Sequence, residues 1–128
     1  MKFLSFLMAV CLLFSCRKES DSETITVELN NCSEQLPKTE NYTICFDSIV
    51  EDSRCPANVV CVWQGIAKAK FRFTLNNQVH HVVLSTNNLQ PHYSADTTIA
   101  GYHLRLSSLL PYPGTSQSTP TATIVVTH

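Results

Sequence analysis

The side chains with the most readable chemistry are the cysteines, of which this 128-residue chain has six. Cys11 and Cys16 lie in or directly after an apolar N-terminal stretch. The other four are separated by 12, 9 and 5 residues, and they are Cys32, Cys45, Cys55 and Cys61. Structural zinc sites pair cysteines roughly two to four residues apart, whereas an even number of thiols in an oxidising compartment favours disulfides. The spacing therefore predicts two disulfide bonds and no metal.

Four cysteines allow three pairings, and we favour Cys55–Cys61 together with Cys32–Cys45. The first bond closes a tight loop in which Pro56 already restricts the backbone. The second would join the ends of two neighbouring β-segments. In the chain-entropy model each bond contributes roughly 2–3 kcal/mol, which is a useful share of the total stability of about 5–15 kcal/mol of a domain.

The five histidines raise the alternative of a metal-binding protein, and they are His80, His81, His92, His103 and His128. Adjacent residues of a strand point to opposite faces, so His80 and His81 cannot easily share one ion. Scattered surface or strand histidines are the favoured interpretation.

Catalytic signatures are missing from the sequence. It contains no Gly-x-Ser-x-Gly, no His-Glu-x-x-His and, with three glycines in all, no phosphate-binding Gly loop. A Cys55–Cys61 disulfide would leave no free thiol nucleophile there. The carboxylates of Asp47, Glu51 and Asp52 cluster in sequence and are expected to be solvated. We therefore predict a protein that is not an enzyme and needs no cofactor.

Charge gives no reason to expect a nucleic-acid partner, because the formal net charge is −1 and loss of Lys2 on cleavage of a leader would make it about −2. Lys68, Lys70 and Arg72 form a short basic row on one face of a predicted strand. Such rows usually serve solubility, and an anionic or glycan partner is the alternative.

The N-terminus has the organisation of an export signal, with Lys2 followed by an apolar run over residues 3–14. As a helix these residues would span about 18 Å, too short for a bilayer core of about 30 Å, which indicates a signal peptide over residues 1–15. The sequence Leu13-Phe14-Ser15-Cys16 resembles a lipobox. It implies cleavage before Cys16 and acylation of its sulfur, and two or more acyl chains anchor a protein stably. The alternative is a secreted protein with Cys16 unmodified.

The residues that follow Cys16, up to residue 23, are all polar. Residues 16–23 are therefore predicted to form a lipidated cysteine and a flexible tether. By resemblance to Gram-negative lipoproteins, Arg17 after the cysteine implies the outer membrane, with the domain facing the periplasm or the cell surface. The expected partners are the membrane, through lipid on Cys16, and an unknown envelope protein or glycan.

The remainder, residues 24–128, is predicted to be one all-β domain, an antiparallel β-sandwich (Ig-like) or small barrel of about seven strands. Alternating apolar residues predict strands over 24–29, 42–50, 67–75, 78–85, 99–106 and 122–127, with a polar loop over 87–97. Asn76-Asn77 predicts a hairpin turn. Its register stays open: a two-residue turn places His80, Val82 and Leu84 on the face of the phenylalanines, and a three-residue turn places Val79, His81 and Val83 there.

Two short motifs stand together in the middle of the chain: Asp52-Ser53-Arg54-Cys55-Pro56 and Cys61-Val62-Trp63-Gln64-Gly65. They resemble the D-S-R-C-P…C-V-W-x-G signature of a family of small bacterial lipoproteins of uncharacterised activity. The Leu-rich stretch before Pro111-Tyr112-Pro113 is also similar to that family, so that the resemblance spans residues 42–127. It implies a lipid anchor, a disulfide and a β-fold, and it supplies no catalytic residues.

The motif has a structural and a functional interpretation. In the first, Trp63 packs on the disulfide as an apolar plug, Gly65 allows a close backbone approach, and Arg54 pairs with Asp52 and satisfies loop carbonyls. In the second, the loop from Arg54 to Trp63 is a recognition surface, since Arg and Trp are common interface anchors.

The predicted function of the protein is a lipid-anchored, non-catalytic binding or structural module. The alternatives are a protease inhibitor displaying the loop closed by Cys55–Cys61 and the metal-binding protein considered above.

Overall fold

A computed structural model describes residues 21–33, 42–89, 91–116 and 118–128. The predicted signal peptide, residues 1–15, and the predicted lipidation site Cys16 lie outside the described residues. Within these residues the chain forms seven strands: β1 (Ser22–Glu28), β2 (Tyr42–Asp52), β3 (Ala67–Leu75), β4 (Gln78–Ser85), β5 (Asp96–Ile99), β6 (Tyr102–Leu110) and β7 (Thr121–Thr127). β1 thus begins two residues before the predicted start of the domain. A helix of the length and apolarity needed to cross a membrane is not found among the described residues.

The strands form two antiparallel sheets, one of four strands in the order β1-β7-β6-β5 and one of three in the order β2-β3-β4. The all-β class and the sandwich alternative are therefore confirmed. The division into four and three strands is that of an immunoglobulin-type sandwich. The strand order differs, because each sheet is built mainly from consecutive strands, whereas an immunoglobulin domain interleaves them.

The hairpin of β3 and β4 resolves the open register in favour of the two-residue turn. Leu75 pairs with Gln78, and Asn76 and Asn77 both have positive φ angles of 48° and 65°. Asparagine tolerates this left-handed region better than most residues, which suits the tight hairpin turn that matches strand twist. His80 and Leu84 consequently share the inner face with the phenylalanines of β3.

One strand prediction is wrong, because residues 99–106 are not a single strand. A turn at Ala100 and Gly101, with φ angles of 49° and 89°, separates β5 from β6. β5 lies largely in the predicted polar loop, since its sequence Asp-Thr-Thr-Ile has too few apolar positions to show alternation. Its pairing with β6, rather than its own pattern, makes it a strand.

The core lies between the two sheets and is formed by the alternating apolar positions of both. Its largest fully buried apolar side chains are Phe46, Phe71, Phe73, Ile44, Leu84, Leu104, Leu109 and Ile124. Tyr42 and Tyr102 join it with ring centroids 5.4 Å apart. The aromatic places of the core are therefore taken by residues of β2, β3 and β6.

The strand registers define two ends of the sandwich. At the end that we call the N-terminal end, Ser22 of β1 pairs with Thr127 of β7, close to the point where the described chain begins. At the opposite end, the loop end, Asp52 pairs with Ala67 and Leu110 pairs with Thr121. The connections over residues 53–66 and 111–120 both leave from the loop end, which brings the two predicted motif regions together.

Candidate functional site

Both predicted disulfides are present and confirm the favoured pairing. Cys32 and Cys45 are joined with an S–S distance of 1.98 Å, and the pair ties the segment after β1 to the buried part of β2. Cys55 and Cys61 are joined with an S–S distance of 2.16 Å and a Cα–Cα distance of 5.9 Å. The second bond lies in the loop 53–66, which we call the stapled loop.

The two legs of the stapled loop are held together by backbone contacts. The Ser53 amide donates to the Ile66 carbonyl at 2.8 Å, and the Ser53 hydroxyl accepts a hydrogen bond from the Ile66 amide at 3.2 Å. A Cβ at Gly65 would lie 1.7 Å from the Ser53 carbonyl oxygen, so no other residue fits there without a backbone shift. The predicted close approach at Gly65 is therefore real, and its partner is the backbone of Ser53.

Arg54 fastens the stapled loop to the opposite sheet. Its guanidinium donates to both carboxylate oxygens of Asp52, at 2.9 and 2.7 Å, and to the Pro111 carbonyl at 2.9 Å, and it also donates to the Leu109 carbonyl. Its Cζ lies 4.4 Å from the ring centroid of Tyr112. The residue is only 6% exposed. The predicted pairing with Asp52 and with loop carbonyls is confirmed, and these contacts link the end of β2 to the end of β6.

A second loop, over residues 111–115, supports the stapled loop from the side. The Ala57 amide donates to the Pro113 carbonyl at 3.0 Å. Gly114 has a φ of 79°, and a Cβ there would lie 2.9 Å from Asn58 Oδ1 and 3.1 Å from the Cβ of Pro56. The carbonyl of half-buried Pro56 also accepts a hydrogen bond from the Val59 amide at 3.3 Å. The lower half of the stapled loop, which we call the base and which includes Arg54, Pro56 and Gly65, is thus braced by contacts on two sides.

The upper half of the stapled loop points outward and is apolar. Trp63 is 84% exposed, Val62 is 92% exposed, and Val60 is fully exposed. Val59 is half-exposed, and we call these four residues the tip. The interpretation of Trp63 as a plug on the disulfide is therefore wrong. The physical reason is that Arg54 and the second loop fill the space at the base, and the aromatic places of the core are already occupied.

A groove of about 670 Å³ runs beside the base of the stapled loop, between the end of β2 and the second loop. Ile49 and Asp52 form one wall, and Tyr112, Pro113 and Thr115 contribute to the other. Apart from the Asp52 carboxylate, which Arg54 neutralises, the described residues that line this groove are uncharged.

Asp47 and Glu51 of β2 form ion pairs that the sequence did not predict, while Glu51 and Asp52 remain exposed, as expected. Asp47 contacts Arg72 at 2.9 Å, and Glu51 contacts Lys68 at 2.7 Å. Lys68 is buried and lies 3.7 Å from the ring centroid of Tyr93. The predicted basic row is therefore largely neutralised, because Glu51 lies opposite Lys68 and Asp47, at an irregularity of β2, reaches Arg72.

The histidines do not converge. His80 faces inward opposite Phe73, with its Nε2 buried and unpaired within the described part of the chain, while His81 faces outward. His103 lies 3.8 Å from Asp96, and His128 stacks on Tyr102 with a centroid distance of 4.5 Å. In residues 21–33, 42–89, 91–116 and 118–128 no group of three or more potential metal ligands is close enough to hold an ion. The geometry gives the metal-binding alternative no support.

Sequence reasoning missed the role of Tyr112 and of the carbonyls of Leu109 and Pro111. These groups lie 55 and more residues beyond Arg54 in the chain. The one signal in the sequence that could have linked them is that both segments carry motifs expected to resemble one lipoprotein family. Comparison of the chain with models of protein families, with curated proteins and with solved structures gave no match.

Proposed function

We propose that the protein is exported, acylated on Cys16 and anchored to the cell envelope, with the outer membrane as its location. The support is the short apolar run after Lys2 and the lipobox-like sequence before Cys16. Two disulfide bonds agree with an oxidising compartment.

The test of anchoring is metabolic labelling with an alkyne-bearing palmitate, followed by detection of label on the chain. Wild-type protein is expected to carry label, and Cys16→Ala is expected to lose it. Cys11→Ala is the matched control, because it removes a cysteine of the leader and leaves the modified sulfur in place. Equal labelling of Cys16→Ala and wild type would refute the proposal.

We further propose that the anchored domain is a non-catalytic binding module whose recognition surface is the tip. The observation that carries this is the contrast between an exposed apolar tip and the buried, hydrogen-bonded base beneath it. Contiguous exposed apolar surface is unfavourable in water and commonly marks an interaction site. A tip held in one conformation loses less entropy on binding than a flexible loop does.

Crosslinking in the native envelope tests this recognition surface. Trp63→Ala is expected to remove crosslinked species that wild type forms. Val79→Ala is the matched control, because Val79 is also an exposed apolar residue but lies on β4 at the N-terminal end. Loss of the same species in both variants, or in neither, would argue against the tip.

A second candidate is a protease inhibitor, which the full exposure of Val60 within a disulfide-closed loop favours. Such a protein would present Val60 to a protease that prefers small apolar residues. Inhibition of an elastase-type enzyme by wild type, and its loss in Val60→Asp, would support this candidate. A panel of serine and cysteine proteases that keep full activity would remove it.

A further inference from the structure

The described chain enters the sandwich at the end opposite the tip. The His128 amide donates to the Asp21 carbonyl at 3.4 Å, which places Asp21 at the N-terminal end. The tip belongs to the stapled loop, which leaves the loop end after Asp52 and returns to it at Ala67. β6 has nine residues and connects the two ends, and at about 3.4 Å per residue it separates them by about 27 Å.

The proposed tether is shorter than this separation. Five residue steps connect Cys16 to Asp21, and at up to about 3.6 Å each they reach at most about 18 Å. A domain with its tip in the anchoring bilayer would hold Asp21 about 27 Å or more above the surface. The tether therefore cannot reach the membrane when the domain stands on its tip.

Both outer faces of the sandwich also disfavour a domain that lies flat on the bilayer. Thr24, Thr26 and Arg105 are exposed on the four-stranded sheet, and Lys70 and Arg72 are exposed on the three-stranded sheet. Burying hydroxyls and charges in the interface costs free energy that the tip's four apolar residues would have to offset. The exposed apolar residues of β4, Val79 and Val83, lie opposite Thr74 and Lys70 of β3, so among the described residues of this sheet they form no continuous apolar surface that would offset the cost.

Within the described part of the chain, the tip and the two loops at the loop end carry no unpaired charge. Residues 55–66 and 111–120 contain no Asp, Glu, Lys or Arg, and the neighbouring Asp52 and Arg54 neutralise each other. Three valines offer no hydrogen-bonding group to the many hydroxyls of a glycan, whereas an apolar cleft on a protein would bury them together with Trp63. The chemistry of the tip is therefore complementary to an uncharged, apolar protein surface.

We infer that the tip faces away from the anchoring bilayer and docks into an uncharged apolar cleft of a protein partner. This inference rests on the lipid anchoring and the binding function proposed above. It deepens them by excluding a domain that stands upright with its tip in the anchoring membrane, and by assigning the partner's chemistry.

Trp63 is the only tryptophan of the chain and reports directly on the orientation of the tip. The mature lipidated protein is reconstituted into phosphatidylcholine vesicles, with and without lipids brominated on their acyl chains. We expect the protein to float with the vesicles, Trp63 to be quenched by iodide in the buffer, and brominated lipid to leave its emission unchanged. The matched control is Arg17→Trp with Trp63→Phe, whose tryptophan adjoins the acylated cysteine and should be quenched by brominated lipid.

The outcomes separate the orientation from the anchoring. Flotation with strong quenching of Trp63 by brominated lipid overturns the orientation and leaves the anchoring intact. Failure to float overturns the anchoring, and with it the orientation.

A photoreactive residue at Val60 tests the class of partner in intact cells. We expect a discrete, protease-sensitive adduct that Trp63→Ala reduces at least about tenfold, as expected for the loss of a central anchor. The same residue at Thr24, exposed on β1, is the control and should give no such adduct. Adducts only to lipid or to heterogeneous glycan, or no protein adduct at Val60, would overturn the assignment of a protein partner.

Discussion

The base and the tip of the stapled loop are neighbours in sequence but differ in how their side chains are satisfied. At the base, Arg54 is buried, its guanidinium donates to Asp52 and to the carbonyls of Leu109 and Pro111, and it lies over the ring of Tyr112. At the tip, Val60 and Trp63 are exposed to solvent. Contacts within the protein account for the burial of the residues at the base. They do not account for the tip, whose apolar side chains are exposed to water at a cost in free energy. We attribute stability to the base and recognition to the tip.

The largest expected effect on stability comes from Arg54→Met. It leaves the Asp52 carboxylate without its cation and removes the donors to the carbonyls of Leu109 and Pro111. We expect the free energy of unfolding to fall by about 3–4 kcal/mol, measured by urea denaturation. Arg72→Met is the matched control, because Arg72 is 45% exposed in its pair with Asp47, and this pair should contribute at most about 1 kcal/mol. Equal losses in the two variants would contradict a special role for the base.

The two disulfides offer a second comparison. Their sequence separations are 13 residues for Cys32–Cys45 and 6 for Cys55–Cys61. The chain-entropy model then gives about 3 kcal/mol for the first and about 2 kcal/mol for the second. Replacing each pair by alanines and measuring urea unfolding should reproduce this order. A larger loss from the Cys55–Cys61 pair would mean that the stapled loop organises the core as well as the tip.

Gly65→Ala tests the closure of the base. The added Cβ would overlap the Ser53 carbonyl, so the two legs of the loop must separate, and we expect a loss of about 2 kcal/mol in the free energy of unfolding. Gln64→Ala is the control, because Gln64 is exposed next to it and should change stability by less than about 0.5 kcal/mol.

The smallest effect on stability is expected for Trp63→Ala, below about 0.5 kcal/mol in the same assay. In the wild-type protein, the emission maximum of the single tryptophan should hardly move on unfolding, because its indole is already in water in the folded state. A large blue shift of the folded protein relative to the unfolded one would show that Trp63 is buried, and would return it to the structural role that the sequence suggested.

Much of the fold could be predicted from local sequence. β3 and β4 have the predicted bounds because period-two alternation and the Asn76-Asn77 turn act over neighbouring residues. The disulfide pairing also followed from spacing. β5 could not be predicted, since its strand conformation depends on pairing with β6.

The candidate site was predictable in its residues but only partly in their roles. The partners of Arg54 follow from how the two sheets meet at the loop end, and they lie far away in the chain. The exposure of Trp63 could not be predicted from its type, because a large aromatic residue beside a disulfide suits a core as well as a surface.

The sequence by itself determined the alternation of the strands, the tight turn between β3 and β4, and the even number of cysteines available for disulfides. Only the tertiary structure decided that Arg54 is buried, that Trp63 is exposed, and that the tip lies at the end of the sandwich opposite the chain's entry. The reason is that backbone conformation responds to near neighbours, whereas burial and placement depend on which distant segments fill the space first.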